Sequence, residues 1–127
     1  MRDIIFRGKS EVSGKWCYGN LQLRKNETAI ITPDETVLGT YGKVDRETVG
    51  QYTGLKDKNG VEIYEGDIVE IIVNNNILKR CVVEFKNGIF GVMFDKQVEL
   101  TAFPHFHNTT FEVIGNIYEN KELLKGE

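Results

Sequence analysis

A series of turn signals between residues 49 and 94 constrains the fold of this chain more than any other feature. Each signal separates short apolar runs that are typical of strands rather than helices. Asn-Gly favours a tight hairpin because both residues tolerate positive φ. The four signals are Asn59-Gly60, Glu65-Gly66-Asp67, Asn74-Asn75-Asn76 and Lys86-Asn87-Gly88. They predict a three-stranded antiparallel meander over residues 67–94, preceded by a strand from Val49 to Leu55.

The amino-acid composition supports the same fold class. The chain of 127 residues holds only two alanines, whereas valine, isoleucine and threonine together number 33. Branched side chains lose rotamer freedom in helices and pack well on pleated sheets. One domain of this length buries enough surface for a real core. We therefore expect a single domain over residues 1–127 that is mainly β, a β-rich α+β chain.

The regions outside the meander contain further elements. Residues 4–24 read as a hairpin about Ser13-Gly14-Lys15, and a late strand is predicted from Phe111 to Tyr118. The tail after it forms a short C-terminal helix in this interpretation, with Asn120 as its N-cap. Residues 25–48 are polar, and apart from a short strand at Ala29–Thr32 we interpret them as a variable loop region.

Charge and cysteine content exclude several classes of protein. The net charge of −3 argues against bulk affinity for nucleic acid or anionic lipid. The N-terminal residues do not resemble a secretory leader, and no apolar run is long enough to span a membrane. We therefore expect a cytoplasmic protein in which Cys17 and Cys81 are free, structural thiols.

Three segments together resemble the YopX family of phage and prophage proteins. The segment Val49–Val69 is similar to the central motif of that family, and Phe6 and Lys15–Gly19 lie in segments similar to its N-terminal motif. The segment Glu112–Asn120 is similar to its C-terminal motif, although Lys121 stands where many relatives have proline. The resemblance extends from residue 5 to about residue 124.

The resemblance implies a fold of coiled antiparallel sheets with a minor helix. It also implies that the protein belongs to a bacterial host that carries a phage or prophage. It further implies a tendency to form homo-oligomers, and it carries over no assigned biochemical function. Glu65–Val69 also resembles the opening of SH3-like small barrels. In the motifs we assign structural turns to a set of small and polar residues: Gly54, Asn59, Gly60, Gly66, Asp67, Gly88 and Gly115.

Basic residues near the predicted hairpins are candidates for a nucleic-acid-binding face. They are Lys56, Lys58, Lys79, Arg80 and Lys86. If exposed, Tyr52, Tyr64, Phe85 and Phe90 could stack on bases beside them. The structural interpretation is stronger, because aromatic side chains in alternating strands usually fill a core and lysines near turns keep edges soluble.

Catalytic and metal chemistry have little support in the sequence. No nucleophile elbow, phosphate-binding lysine motif or dinucleotide fingerprint is present. His105 and His107 could share a metal on a strand, but Pro104 and Asn108 favour a loop with surface histidines. We expect no enzyme, cofactor, metal site or membrane partner. The favoured function is a non-enzymatic module that binds a host or phage protein, with a small β-barrel nucleic-acid-binding protein as the alternative.

Overall fold

The computed structural model describes residues 3–32, 40–86, 88–94, 99–102 and 109–124. Within them the chain forms eleven strands: β1 (Phe6–Lys9), β2 (Trp16–Arg24), β3 (Glu27–Thr32), β4 (Thr40–Lys43), β5 (Gly50–Lys56), β6 (Glu62–Tyr64), β7 (Asp67–Val73), β8 (Asn76–Lys86), β9 (Ile89–Phe94), β10 (Glu99–Ala102) and β11 (Thr109–Asn116). Two 3-10 helices, Arg46–Thr48 and Lys121–Leu124, complete the described elements.

The strands form two antiparallel sheets, which confirms the mainly β class. One sheet has the strand order β4-β3-β2-β1-β5-β6, and the other has the order β10-β9-β8-β7-β11. Both are open among the described residues, so the expected SH3-like barrel is not confirmed. The chain divides into an N-terminal unit, residues 1–54, and a C-terminal unit, residues 55–127. The expectation of a single domain stays a prediction.

The N-terminal unit begins with the predicted hairpin. Strand β1 pairs with β2, with Lys9 opposite Trp16, and with β5, with Arg7 opposite Gly50. The guanidinium of Arg7 lies 4.4 Å from the Trp16 ring centroid, a cation–π contact. This contact lets a largely buried arginine cover the aromatic ring.

The loop prediction for residues 25–48 is wrong at β4. The strand expected at Ala29–Thr32 is confirmed as part of β3, which pairs with β2, whereas β4 pairs with β3 at the edge of the first sheet. Residues 33–39 lie outside the described residues. The polar composition misled the prediction because a strand at the edge of a sheet needs only one neighbour and little apolar surface.

The C-terminal unit contains the predicted meander β7-β8-β9, extended by β10 and β11. Strand β7 lies between β8 and β11 and is buried at six of its seven positions. One face of the sheet carries the core, in which side chains from β6 to β9 pack together: Ile63, Val69, Ile71, Cys81, Val83 and Val92. Both cysteines are free, as predicted.

The C-terminal tail differs from the expected helix. Lys121–Leu124 is a single 3-10 turn, and the described residues include no α-helix. The Asn120 side chain accepts a hydrogen bond from the Asn116 backbone N–H at 3.1 Å, and the Asn120 carbonyl accepts from the Leu123 N–H at 2.9 Å. The side chain therefore stabilises the preceding turn. Within the described part of the chain, no helix has the length and apolar character needed to cross a membrane.

Candidate binding surface

The predicted basic residues do not share one face of the C-terminal sheet. Lys79 and Arg80 are consecutive in β8, and neighbouring side chains in a strand point to opposite faces. Lys79 lies opposite the core residue Ile71, and Arg80 lies opposite Glu70 on the other face. The Arg80 Nε atom pairs with Glu70 Oε2 at 3.2 Å, and its Nη1 donates to the Leu123 carbonyl at 3.0 Å. Arg80 therefore anchors the C-terminal turn.

The three remaining lysines lie at the ends of strands or in a turn. The ammonium of Lys58 lies 3.6 Å from a carboxylate oxygen of Glu112. Lys56 ends β5 and Lys86 ends β8, and both side chains are exposed. A continuous surface that binds successive phosphates needs cations that converge. The two adjacent cations of β8, Lys79 and Arg80, lie on opposite faces, and Lys56 and Lys58 belong to β5 and the turn after it.

The aromatic residues fall into two groups. Tyr52 and Tyr64 are buried, so neither offers a ring for stacking. Phe85 is 51% exposed and lies opposite Phe90 across the β8–β9 pair. Their ring centroids are 4.8 Å apart with the planes tilted by 59°, and Phe90 packs against the core. We call Phe85, Ile89 and Phe90, the exposed end of this hairpin, the aromatic tip.

Asp57 connects the turn after β5 to the edge strand β11. Its Oδ1 accepts the backbone N–H of Asn59 at 2.8 Å and that of Val61 at 2.9 Å. Its Oδ2 accepts the backbone N–H of Val113 at 2.9 Å. In the same turn the Lys58 N–H donates to the Phe111 carbonyl at 2.9 Å. These bonds satisfy groups at an edge that would otherwise be open to another strand.

The environment of Asp57 also changes the acidity of its carboxyl group. Burial favours the neutral form, but hydrogen bonds from Val113, Val61 and Asn59 and the nearby Lys58 charge favour the carboxylate. The combined effect lowers the pKa of Asp57 below its ordinary value. The charged form is therefore the one that holds the turn.

The Glu65-Gly66-Asp67 turn carries two structural contacts. Gly66 has φ 87°, and a Cβ atom there would lie 2.9 Å from the Tyr118 ring. Asp67 is 2% exposed, and its Oδ2 accepts the Tyr64 backbone N–H at 2.7 Å. The Ile117 N–H donates to the Gly66 carbonyl at 2.9 Å. The central and C-terminal sequence motifs therefore meet at this turn.

The C-terminal motif folds around Asn116. Its Oδ1 accepts the backbone N–H groups of Tyr118 and Glu119, each at 3.0 Å, and its Nδ2 donates to Glu119 Oε1 at 3.0 Å. Gly115 adjoins a register irregularity in β11, and a Cβ atom there would lie 2.6 Å from the Asn120 side chain. These motif residues build the turn that follows β11.

The remaining predicted turn residues have distinct geometries. Gly60 and Gly88 have φ angles of 82° and 83°, and Gly54 has φ 87° inside β5 rather than in a turn. Of the Asn59-Gly60 pair, only Gly60 has positive φ. Asn87 lies outside the described residues.

The metal hypothesis concerns residues that the structure does not describe. His105 and His107 fall in residues 103–108, which lie outside the described ranges. Among the residues that are described, no group of three or more His, Cys, Asp or Glu side chains is arranged to hold a metal ion. The two histidines stay a prediction of surface residues.

The fold and motifs define a class of small, mainly β proteins with two open antiparallel sheets and motif residues that shape turns. The family model described as YopX protein matches residues 5–125. This chain therefore belongs to the YopX family, which confirms the resemblance seen in the sequence.

Individual relatives are similar over all or part of the chain. The SPbeta prophage-derived uncharacterized protein YopX of Bacillus subtilis is 37% identical over 71 residues, about half of each chain (53% of both). The crystal structure of protein EF1440 from Enterococcus faecalis aligns with a TM-score of 0.63 at 26% identity, covering 98% of this chain and 100% of that one. The crystal structure of YopX from Bacillus subtilis aligns with the same coverage, a TM-score of 0.61 and 24% identity.

Sequence reasoning missed two features of this surface. The first is the role of Asp57 in closing the turn, because the Asn59-Gly60 pair alone was enough to predict a turn there. An aspartate two residues before Asn59 is nevertheless a sequence signal for an Asx turn. The second is the exposure of Phe85. Alternation along a strand shows which side chains share a face of the sheet, but it does not show where along the strand the core ends.

Proposed function

We propose that this YopX-family protein is a non-enzymatic interaction module that binds a host or phage protein through the aromatic tip. The observation that carries the proposal is the half-exposed ring of Phe85, which makes a tilted ring contact with a partly buried Phe90. Aromatic side chains are enriched at the centres of protein interfaces. The partner that fits this tip is a protein with an apolar pocket that receives the Phe85 ring.

The packing of the aromatic tip supports a role as a rigid anchor. Phe90 contacts the core cluster of the C-terminal unit, and Phe85 lies on Phe90 as its cross-strand neighbour. A side chain with two χ angles that is already held loses little entropy on binding. Ile89 is 45% exposed and lies opposite Lys86, so it adds an apolar side chain on the other face of the hairpin.

Polar residues flank Phe85 along β8. Glu84 is half-buried and Lys86 is exposed. Neighbouring side chains in a strand point to opposite faces, so both lie on the face of β8 away from Phe85 and keep that face polar.

Nucleic-acid binding through Lys56, Lys58, Lys79, Arg80 and Lys86 is the alternative function. The opposite faces of Lys79 and Arg80 weigh against it. The prophage origin of the Bacillus subtilis relative supports a setting in the cytoplasm of a bacterial host.

A capture experiment with a matched control tests the proposal. Tagged wild-type protein, Phe85→Ser and Ile77→Ser are incubated with host lysate, with and without nuclease treatment, and the eluates are quantified by mass spectrometry. Ile77 is 61% exposed and lies at the start of β8, far along the strand from the tip. We expect one stoichiometric protein with the wild type and Ile77→Ser, and at least about tenfold less with Phe85→Ser.

Three results would contradict the proposal. Equal capture by all three proteins would exclude the aromatic tip as the contact. Loss of every captured protein on nuclease treatment would favour the nucleic-acid alternative, and an eluate that holds only this chain would favour self-assembly. Thermal melts should show both variants folded at the assay temperature. Ile77→Ser should match the wild type, whereas Phe85→Ser should melt somewhat lower because it loses the ring contact with Phe90.

A further inference from the structure

Basic side chains from separate segments converge on one cavity in the N-terminal unit. The cavity has a volume of about 290 Å³ and is open to solvent. Four basic side chains line it, from the β2–β3 turn, the end of β4 and the 3-10 helix that follows: Arg24, Lys25, Lys43 and Arg46. We call this cavity the cationic groove.

The described residues that line the groove carry an excess of positive charge. Two carboxylates are present, and each is paired: Glu27 with Arg24 at 3.2 Å and Glu11 with Lys43 at 3.5 Å. Lys25 and Arg46 add two further positive charges. This local excess of two contrasts with the net charge of −3 for the whole chain. Like charges held together in one cavity favour the binding of an anion.

The backbone holds the walls of the groove in place. The Val44 N–H donates to the Thr28 carbonyl at 2.9 Å, and the Glu11 N–H donates to the Lys43 carbonyl at 3.1 Å. Asp45 caps the short helix that carries Arg46, and its Oδ1 accepts the Glu47 N–H at 3.0 Å. A site whose walls are already fixed loses little entropy when a ligand binds.

We propose that the cationic groove binds a phosphate monoester. A monoester phosphate concentrates close to two negative charges on one small group, which matches the excess of two positive charges. The planar guanidinium of Arg46 can donate two parallel hydrogen bonds to it, and Lys25 supplies a point charge. A phosphodiester, as in a nucleic acid, carries only one negative charge and matches the groove less well. The described lining also offers no aromatic ring on which a base could stack. The cationic groove shares no residue with the aromatic tip.

Titration with two small phosphates tests the chemistry of the ligand. Glycerol 3-phosphate is added to ¹⁵N-labelled protein at low ionic strength, and dimethyl phosphate is added to a second sample at matched ionic strength. We expect saturable shifts of the amide signals of residues 24–28 and 43–46, with at least about tenfold tighter binding of the monoester. Equal binding of both compounds, or shifts without saturation, would overturn the proposal.

Paired variants with equal charge test the location. Lys25→Ala/Arg46→Ala removes two charges from the groove, and Lys56→Ala/Lys86→Ala removes two from exposed lysines of the C-terminal unit. We expect at least about tenfold weaker binding of glycerol 3-phosphate by the first variant and an unchanged affinity for the second. Equal losses would show general attraction to a basic surface and would contradict the assigned site.

A third ligand distinguishes the source of the phosphate. A phosphoserine peptide that binds more tightly than glycerol 3-phosphate, through the same residues, would assign the phosphate to a modified protein. Equal affinity would assign it to a phosphorylated small molecule. Tighter binding of a ten-residue thymidine oligonucleotide than of either monoester would overturn the proposal, because its internal phosphates are diesters.

Discussion

Two turns of the C-terminal unit follow similar asparagine-containing signals but are stabilised in different ways. The turn between β7 and β8 has Asn74 and Asn75 at φ 50° and 65°, the geometry of a two-residue type I′ hairpin. The turn between β5 and β6 has one left-handed residue, Gly60, and is closed by the Asp57 carboxylate. The first turn depends on local backbone preference, whereas the second depends on a carboxylate that also contacts β11.

The difference shows what a short sequence signal determines. Positive φ at two consecutive residues is a local property that the residue types themselves favour. The contact from Asp57 Oδ2 to the Val113 N–H joins positions 56 residues apart. No local pattern specifies such a partner. Substitutions in the two turns should therefore differ in magnitude and in sign.

The largest effect is expected for Asp57→Ala. The substitution removes three hydrogen bonds to a carboxylate and leaves the Val113 N–H unpaired at the β11 edge. Hydrogen bonds to charged groups contribute about 1.5–3 kcal/mol each, and their losses overlap within one turn. We expect the free energy of unfolding to fall by about 3 kcal/mol, measured by urea denaturation.

Asp57→Asn serves as the control for this substitution. It keeps one acceptor oxygen for the turn but cannot accept on both sides, so we expect a smaller loss. A free energy of unfolding within about 0.5 kcal/mol of the wild type for Asp57→Ala would show that the carboxylate is not needed.

Gly60→Val tests the backbone part of the same turn. Gly60 has φ 82°, and a Cβ atom there would meet no atom within 4 Å, so the cost comes from the backbone conformation alone. A β-branched residue resists positive φ, and we expect a loss of about 2 kcal/mol. Gly60→Asn should lose less, because asparagine tolerates this region. Equal thermal melts of Gly60→Val and the wild type would contradict the assigned geometry.

Acid unfolding tests whether the charge of Asp57 is what matters. The folded protein holds the pKa of Asp57 below its ordinary value, so the unfolded state binds the proton more readily. The stabilisation is present above the unfolded pKa of about 3.9 and is lost as the pH falls through the lower folded value. Asp57→Asn lacks this dependence, and its free energy of unfolding should decline less steeply below about pH 4. Parallel pH curves for the wild type and Asp57→Asn would show that the charge of Asp57 does not stabilise the fold. The change with pH is smaller than the loss in Asp57→Ala, because it measures only the part of the stabilisation that is linked to the proton.

The sequence predicted those parts of the fold that depend on local chemistry. The meander, the first hairpin and the late strand follow from apolar alternation and turn residues, and the structure confirms them. Strand β4 was missed because its stability comes from pairing with β3 rather than from its own composition. In place of the predicted C-terminal helix the chain forms one 3-10 turn, because the Asn120 side chain accepts a hydrogen bond from the Asn116 N–H instead of capping a helix. The cationic groove could not be predicted, because its basic residues come from segments that only the folded sheet brings together.

The smallest effect, with the opposite sign, is expected for Asn75→Gly. Asn75 is left-handed at φ 65°, and glycine at the second central position of a type I′ turn removes the remaining steric cost. The added entropy of the unfolded chain offsets part of this gain, so we expect a stabilisation of about 0.5 kcal/mol in the same urea titration. Asn59→Gly is the matched control in the other turn, and it should not stabilise because Asn59 is not left-handed. A gain from Asn59→Gly equal to that from Asn75→Gly would mean that both turns depend on the same local preference, and the contrast between them would fail.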